Sequence, residues 1–194
     1  MNNKVNGYNN LFLTDGHDME MMIINENFEE VINREFLDDS NLHIIENVEL
    51  DIRHISYIKW YNQKENKRLC VDRLCPYNGF YDGNTTISIA DSLKKVNEAK
   101  ENAEKDDIEE HDIIEFEETY HTVCYKDLTN GHDMLEGLCR KLYFINKDKK
   151  GKKPDPNELI RLARTAFNSM EFCKTRIYQD IMKWQENNSV CILC

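Results

Sequence analysis

The chain has 194 residues, with 25 Lys+Arg against 36 Asp+Glu for a formal net charge of −11, and 40% of its residues are hydrophobic. That length is ample for a buried core, and 7 Gly and 3 Pro exclude collagen-like and low-complexity classes. No apolar run approaches the roughly 18 residues of a membrane span. Seven cysteines without a disulfide framework favour free thiols in a reducing compartment. The composition predicts a cytoplasmic globular protein with no membrane partner.

The first predicted elements are a short strand and a helical turn. Residues 11–14 are apolar and precede Asp15 and Gly16, a pattern typical of a strand that ends in a turn. Asp18 then begins a helical turn that runs to Ile23, because an Asp before apolar residues is a typical N-cap.

Helices and short strands alternate over the next part of the chain. Apolar residues that recur on one face predict helices over residues 26–37 and 48–62. Residues 68–71 and 79–81 are predicted to be short strands on either side of a turn at Pro76.

Charge is distributed unevenly over the following part. A polar helix is predicted over residues 86–100, and residues 98–118 carry eleven carboxylates against two lysines, which is typical of a solvated helix face. Residues 147–153 are basic and form either a phosphate-contacting loop or a solvated linker. The lack of interleaved aromatic residues favours the linker. The lysines that would contact nucleic acid are Lys149, Lys150, Lys152 and Lys153.

The C-terminal part of the chain predicts a compact helical unit. Asp155 provides an N-cap, Pro156 the first helical position and Glu158 a carboxylate in the first turn. A last helix is predicted from Ser169, with apolar spacing that continues to Trp184.

Two similar motifs lie far apart in the chain. The sequence DGHDM at residues 15–19 is echoed by NGHDM at residues 130–134, and each precedes an apolar helix. Gly supplies a turn and Asp caps free N–H groups, but capping does not require a histidine. We therefore expect His17, His132 and Asp133 to share a polar pocket. The alternative is a structural His-Asp pair at each helix start.

The first motif is richer in carboxylates than the second. Asp15, Asp18 and Glu20 follow the predicted strand, and α/β folds collect Mg²⁺ at the carboxyl ends of strands. These three residues are the candidate catalytic and metal-ligating residues, with Mg²⁺ as the expected cofactor. Such a metal would activate water and neutralise charge on a phosphate, and a two-metal site would need further acids from other strands.

Several blocks together resemble a prokaryotic family catalogued as domain of unknown function 4435. LFLTDGHDMEMM at residues 11–22 resembles its first block, and LTNGHDML at residues 128–135 resembles its second. The blocks come in the right order from about residue 10 to 186. The aromatic-rich ending that resembles its terminal helix contains Phe172, Thr175, Tyr178 and Trp184.

The resemblance implies a Toprim-type, metal-dependent nuclease of bacterial anti-phage defence, similar to the effector of the PARIS system. Such effectors act on DNA or RNA beside an ATPase partner. In that family a catalytic Glu and an Asp-x-Asp precede the first block. Here fourteen residues precede Asp15, and no Asp-x-Asp occurs. We therefore expect a C-terminal portion of a longer or split protein, or a shortened paralogue, with the metal site completed by upstream acids.

These patterns predict a mixed α/β fold that is richer in helix than in strand, with a partial Toprim-like core and a helical C-terminal subdomain. The expected parts are a partial Toprim-like part (1–85), an acidic helical connector (86–127), a helical C-terminal subdomain (128–187) and a flexible tail (188–194). The expected function is that of a metal-dependent nuclease component. The alternative is a non-catalytic helical module that docks an ATPase or sensor, supported by the acidic surface at residues 98–118. The oligomeric state stays open.

Overall fold

The computed structural model describes residues 18–37, 43–76, 80–98, 107–148 and 154–188. These residues form ten α-helices and one 3₁₀ turn, and they contain no β-strand. In chain order, the helices are α1 (Met19–Ile23), α2 (Glu26–Phe36), α3 (Ile44–Lys64), α4 (Ile89–Glu98), α5 (Glu110–Tyr120), α6 (Tyr125–Leu128), α7 (Gly131–Ile145), α8 (Pro156–Ala166), α9 (Ser169–Lys174) and α10 (Arg176–Asn188).

The predicted α/β fold, with its partial Toprim-like core, is wrong for the part of the chain that the structure describes. Asn66 and Arg68 have φ angles of 53° and 56°, which lie in the left-handed region and are incompatible with an extended strand. The 3₁₀ turn at Val71–Arg73 follows, and Tyr81 pairs with no strand. Short apolar runs do not by themselves distinguish a strand from irregular chain. The predicted strand at residues 11–14 lies outside the described residues.

The helices predicted from apolar spacing are present, and their ends differ from the predicted ends by a few residues. The predicted last helix is interrupted at Thr175, which separates α9 from α10. Asp155 is the N-cap of α8, and its Oδ1 accepts the N–H of Glu158 at 2.8 Å, as the sequence predicts. The N-terminus of α3 is capped from another helix: Oε1 of Glu29 in α2 accepts the N–H of Ile45 at 2.9 Å. A local cap can be read from the sequence, whereas a cap from another helix cannot.

Helix α3 is the centre of the fold and packs against α4, α5, α6 and α7, while α7 also packs against α1 and α8. Gly137 allows close packing of α3 and α7, because a Cβ at this position would lie 2.7 Å from Cγ1 of Val48. One continuous cluster of buried apolar residues extends from α1 to α8. The four-part division of the chain stays a prediction.

Both α3 and α7 contribute fully buried aliphatic side chains to the core. Those that are at most 2% exposed include Val48, Ile52 and Ile55 from α3 and Met134, Leu138 and Leu142 from α7.

Within the described ranges, no helix is both long and apolar enough to cross a membrane.

Candidate functional site

The N-terminal ends of α1 and α7 meet, and the carboxylate of Asp18 joins them. Oδ1 of Asp18 accepts the N–H of Met21 at 2.9 Å, as the N-cap of α1. Oδ2 accepts the N–H of Gly131, the first residue of α7, at 2.9 Å. Because a helix N-terminus carries partial positive charge, one carboxylate stabilises both helix starts. The structure thus brings the two similar motifs into contact.

Gly131 permits this contact because no side chain would fit at its position. A Cβ there would lie 2.3 Å from Cβ of Glu20, 2.6 Å from Oδ1 of Asp18 and 2.7 Å from the backbone N of Met21. Two of these atoms belong to the cap or the backbone of α1 and cannot easily move. The glycine of the second motif is therefore required by a close approach of two helices.

The two motifs occupy different positions on their helices. Asp18 is the N-cap of α1, whereas Asn130 is the N-cap of α7 and Asp133 lies in the first turn. The oxygens of Asp133 accept hydrogen bonds from Nζ of Lys59 in α3 at 2.6 and 2.8 Å. Burial raises the pKa of the Asp133 carboxyl above its ordinary value, and the Lys59 ammonium opposes that rise. Asp133 thus ties α7 to α3.

His132 forms a pair within its own helix. Its Nε2 lies 3.0 Å from Oε1 of Glu136, one turn further along α7, and its side chain is 71% exposed. The other oxygen of Glu136 accepts a hydrogen bond from Sγ of Cys75 at 2.7 Å. His17 lies outside the described residues, so a pocket shared by His17, His132 and Asp133 stays a prediction.

The candidate metal ligands are only partly described. Both oxygens of Asp18 accept backbone N–H groups, and Glu20 lies in the first turn of α1. Asp15 lies outside the described residues. In the ranges that the structure covers, no three His, Cys, Asp or Glu side chains are placed so that they could hold a metal ion. The Mg²⁺ site stays a prediction.

The candidate nucleic-acid contacts Lys149, Lys150, Lys152 and Lys153 also lie outside the described residues.

A buried polar network that the sequence analysis missed joins α3, α7 and the segment before α4. The Asp51 carboxylate accepts hydrogen bonds from the Tyr81 hydroxyl, from Nζ of Lys141 at 2.9 Å and from Oγ1 of Thr86 at 3.0 Å. Burial raises the pKa of Tyr81, and the hydrogen bond to Asp51 raises it further, so the hydroxyl remains a donor. The partners lie 30 to 90 positions from Asp51 in the chain, and no local pattern signals the network.

The surface between α3 and α5 contains an aromatic cluster, here called the Phe116 cluster: Phe116, Trp60, Tyr61 and Tyr120. The Phe116 ring centroid lies 5.0 Å from that of Trp60, 5.4 Å from that of Tyr61 and 4.6 Å from that of Tyr120. Nζ of Lys64 lies 4.4 Å from the Tyr120 centroid and donates to the Tyr120 hydroxyl. The Lys64 ammonium group therefore lies beside the hydroxyl of Tyr120 at the edge of the cluster.

The outer face of α5 is acidic and has an exposed apolar residue in its middle. Ile114 is 43% exposed, and Glu110 and Glu118, one turn away on either side, are also exposed. Glu117 lies toward α3, where its Oε2 is 3.2 Å from Nδ1 of His54 without hydrogen-bond geometry. This part of the predicted solvated helix face carries an apolar residue that composition alone did not single out.

No family model, curated protein or solved structure matches this chain. The resemblance to domain of unknown function 4435 therefore stays a prediction. The fold and the contacts define a class only, a protein whose described residues form helices and no strand.

Proposed function

We propose that this chain is a non-catalytic helical interaction module that docks a partner protein through the outer face of α5. The observation that carries the proposal is the exposed Ile114 between the exposed carboxylates of Glu110 and Glu118. Protein interfaces combine an apolar centre with a polar rim, and complementary charge accelerates association. The partner therefore has a basic docking surface, and the net charge of −11 adds long-range attraction to it.

The contacts of Asp18, a candidate catalytic residue, and of Asp133, a residue of the expected polar pocket, support the docking function over a nuclease. A Toprim core presents its acids at strand ends, and the described residues form no strand. Asp18 instead caps two helices, and Asp133 is paired with Lys59. These are contacts that hold helices together. The Mg²⁺-dependent nuclease activity remains a prediction from the resemblance, and the ATPase or sensor expected from it is the first partner to test.

The test measures the affinity of the purified chain for the ATPase or sensor encoded beside it, by isothermal titration calorimetry. Ile114→Glu places a charge at the apolar centre of the face, and Glu118→Lys reverses a charge on its rim. We expect Ile114→Glu to weaken binding about 10-fold or more, and Glu118→Lys, on the rim, to weaken it less, by about 2- to 5-fold. Glu30→Lys makes the same charge reversal at an exposed position of α2 and should leave binding unchanged.

Two results would contradict the proposal. One is equal partner affinity for the wild type, Ile114→Glu and Glu118→Lys. The other is a chain that binds none of these partners but cleaves DNA or RNA with Mg²⁺ and loses that cleavage in Asp18→Ala.

A further inference from the structure

We infer that the docking surface on α5 extends onto α3 through Leu50, and that the partner fills the corner between these two helices with the apolar face of a basic amphipathic helix. The inference rests on the proposed function. It adds a second helix to the docking surface and names the kind of element that fits there.

Helix α5 crosses α3 at a steep angle instead of running alongside it. The Phe116 ring centroid lies 5.0 Å from that of Trp60 and 5.4 Å from that of Tyr61. Oε2 of Glu117, the next residue of α5, lies 3.2 Å from Nδ1 of His54. His54 and Trp60 are about 9 Å apart along the axis of α3, because an α-helix rises about 1.5 Å per residue. The crossing leaves an open corner, here called the α3–α5 corner, between the Glu117 side of α5 and the part of α3 that precedes His54.

Two exposed apolar side chains border the α3–α5 corner. Leu50 lies one turn before His54 on α3, and Ile114 lies one turn before Glu117 on α5. Residues three or four positions apart share a helix face, so both apolar residues lie beside the contact of His54 with Glu117. Leu50 is 47% exposed and Ile114 is 43% exposed. The side chains of His54 and Glu117 are 26% and 28% exposed, so a half-buried polar floor lies between the two apolar borders.

The charges around the corner favour a basic partner. Glu46 is exposed one turn before Leu50, and the carboxylates of the α5 face lie along the other border. The positive charge of Arg53 is balanced by Glu49, whose carboxylate accepts hydrogen bonds from the guanidinium at 2.6 and 2.8 Å. A second copy of the chain, with its net charge of −11, would be repelled from an acidic corner. A basic protein is attracted to it.

A single α-helix matches the shape of the corner. A helix with its side chains is about 10 to 12 Å across, and amphipathic helices bind by laying an apolar face into a groove between other helices. In this position the apolar face of the partner helix meets Leu50 and Ile114. Basic residues on its flanks then face Glu46 and Glu118.

The first experiment measures the affinity of variants at Leu50 for the ATPase or sensor encoded beside the chain, by isothermal titration calorimetry. Leu50→Ala removes most of the apolar side chain, and Leu50→Glu places a charge there. We expect binding about 3-fold weaker in Leu50→Ala and about 10-fold weaker in Leu50→Glu, with folding checked by circular dichroism.

The matched control is Met170→Glu, at an apolar residue of α9 that is 73% exposed. It adds the same carboxylate away from the corner and should leave binding unchanged. An added carboxylate by itself attracts a basic partner, so a loss in Leu50→Glu alone reports the apolar contact. An equal loss in Met170→Glu overturns the inference.

The second experiment identifies what lies in the corner. A photo-cross-linking amino acid replaces Leu50, and mass spectrometry locates the partner segment that it captures. We expect a segment with apolar residues at helical spacing and Lys or Arg on its flanks. An acidic segment, or one without that spacing, overturns the inference. So does a dimer of the chain alone that Leu50→Glu dissociates in sedimentation, because a second copy then occupies the corner.

The comparison of Leu50 with Ile114 separates the inference from the proposed function. Unchanged affinity in both Leu50 variants together with a loss in Ile114→Glu overturns the extension onto α3 and leaves the docking face on α5 standing. Weaker binding in Leu50→Glu with unchanged binding in Ile114→Glu places the contact on α3 alone, and it overturns the proposed function as well as the corner.

Discussion

Asp133 is a carboxylate that the fold buries and supplies with a counter-charge. It is 3% exposed, and Nζ of Lys59 lies 2.6 Å from its Oδ2. Burial penalises the ionised form and the ammonium favours it, and the pKa of Asp133 is raised because burial prevails. Such a pair adds little stability over an apolar pair, but the loss of one partner leaves an uncompensated buried charge.

Lys59→Met should destabilise the protein by about 3 kcal/mol near pH 8, because ionised Asp133 then lacks its counter-charge. A carboxyl whose pKa is higher in the folded than in the unfolded protein stabilises the folded state. Asp133 makes this contribution in full below its pKa in the unfolded chain, near 4. It is lost as pH rises through the folded pKa. The destabilisation should therefore be smaller near pH 4 than at pH 8, as measured by urea unfolding at both values. Lys94→Met is the control, and an equal loss at both pH values would rule out this explanation.

Asp18 uses both carboxylate oxygens to cap α1 and α7, so we expect Asp18→Ala to lower the free energy of unfolding by about 2 kcal/mol. Asp18→Asn keeps one acceptor oxygen and should lower the free energy of unfolding less.

Mg²⁺ should not raise Tm beyond the effect of an equal ionic strength, because a metal bound to Asp18 would compete with two backbone N–H groups. A Mg²⁺-dependent rise in Tm that disappears in Asp18→Ala would restore the metal site predicted from the sequence.

At the scale of elements, the contact between α1 and α7 depends on the absence of a side chain at position 131. Gly at the start of a helix is often a turn residue, and the motif by itself predicts that role for Gly131. The close approach of Glu20 and Met21 to Gly131 gives the physical reason instead. The same contact places Asp18 where its second oxygen reaches α7.

Gly131→Ala should therefore destabilise the protein by about 2 kcal/mol, although alanine is the better helix former. The added Cβ would lie 2.3 Å from Cβ of Glu20, so α1 would have to shift away from α7. Thermal unfolding of the variant and the wild type measures the change. Glu30→Ala, at an exposed position of α2, is the control and should stay within about 0.5 kcal/mol. A rise in stability would show that helix propensity dominates and that the two helices are not in close contact.

For the whole molecule, the core and the C-terminal helices differ in how much they bury. The continuous apolar cluster draws on α1 to α8, whereas α9 buries no residue fully and α10 buries only Gln185. Helices with few buried contacts open locally more often than the core does. The last two helices are therefore the least protected helical part of the described chain.

Amide hydrogens of α10 should exchange at least about 10-fold faster than those of α3 and α7. Local opening of α10 exposes less apolar surface and therefore costs less free energy. Hydrogen exchange followed by mass spectrometry measures this order, with α8 as an internal control that belongs to the core cluster. Protection of α10 equal to that of α7 would mean that the C-terminal helices unfold together with the core.

Local patterns in the sequence determined most of the helices and several of their starts. The apolar spacing of residues 26–37 and the cap at Asp155 depend only on neighbours within one or two turns. A cap and an amphipathic face need no distant partner, which is why α2 and α8 follow their predictions. The short apolar runs around Pro76 lacked such a local signature, and the strand predictions built on them were wrong.

Tertiary structure alone decided the fold class of the described residues and the roles of their polar side chains. Asp18 and Gly131 are 113 positions apart, and Lys59 and Asp133 are 74 apart, so no periodicity in the sequence could pair them. The sequence showed that an acid lies at each motif. Whether that acid binds a metal, caps a helix or neutralises a lysine depends on which helix packs beside it, and packing is set by the apolar surfaces of the whole chain.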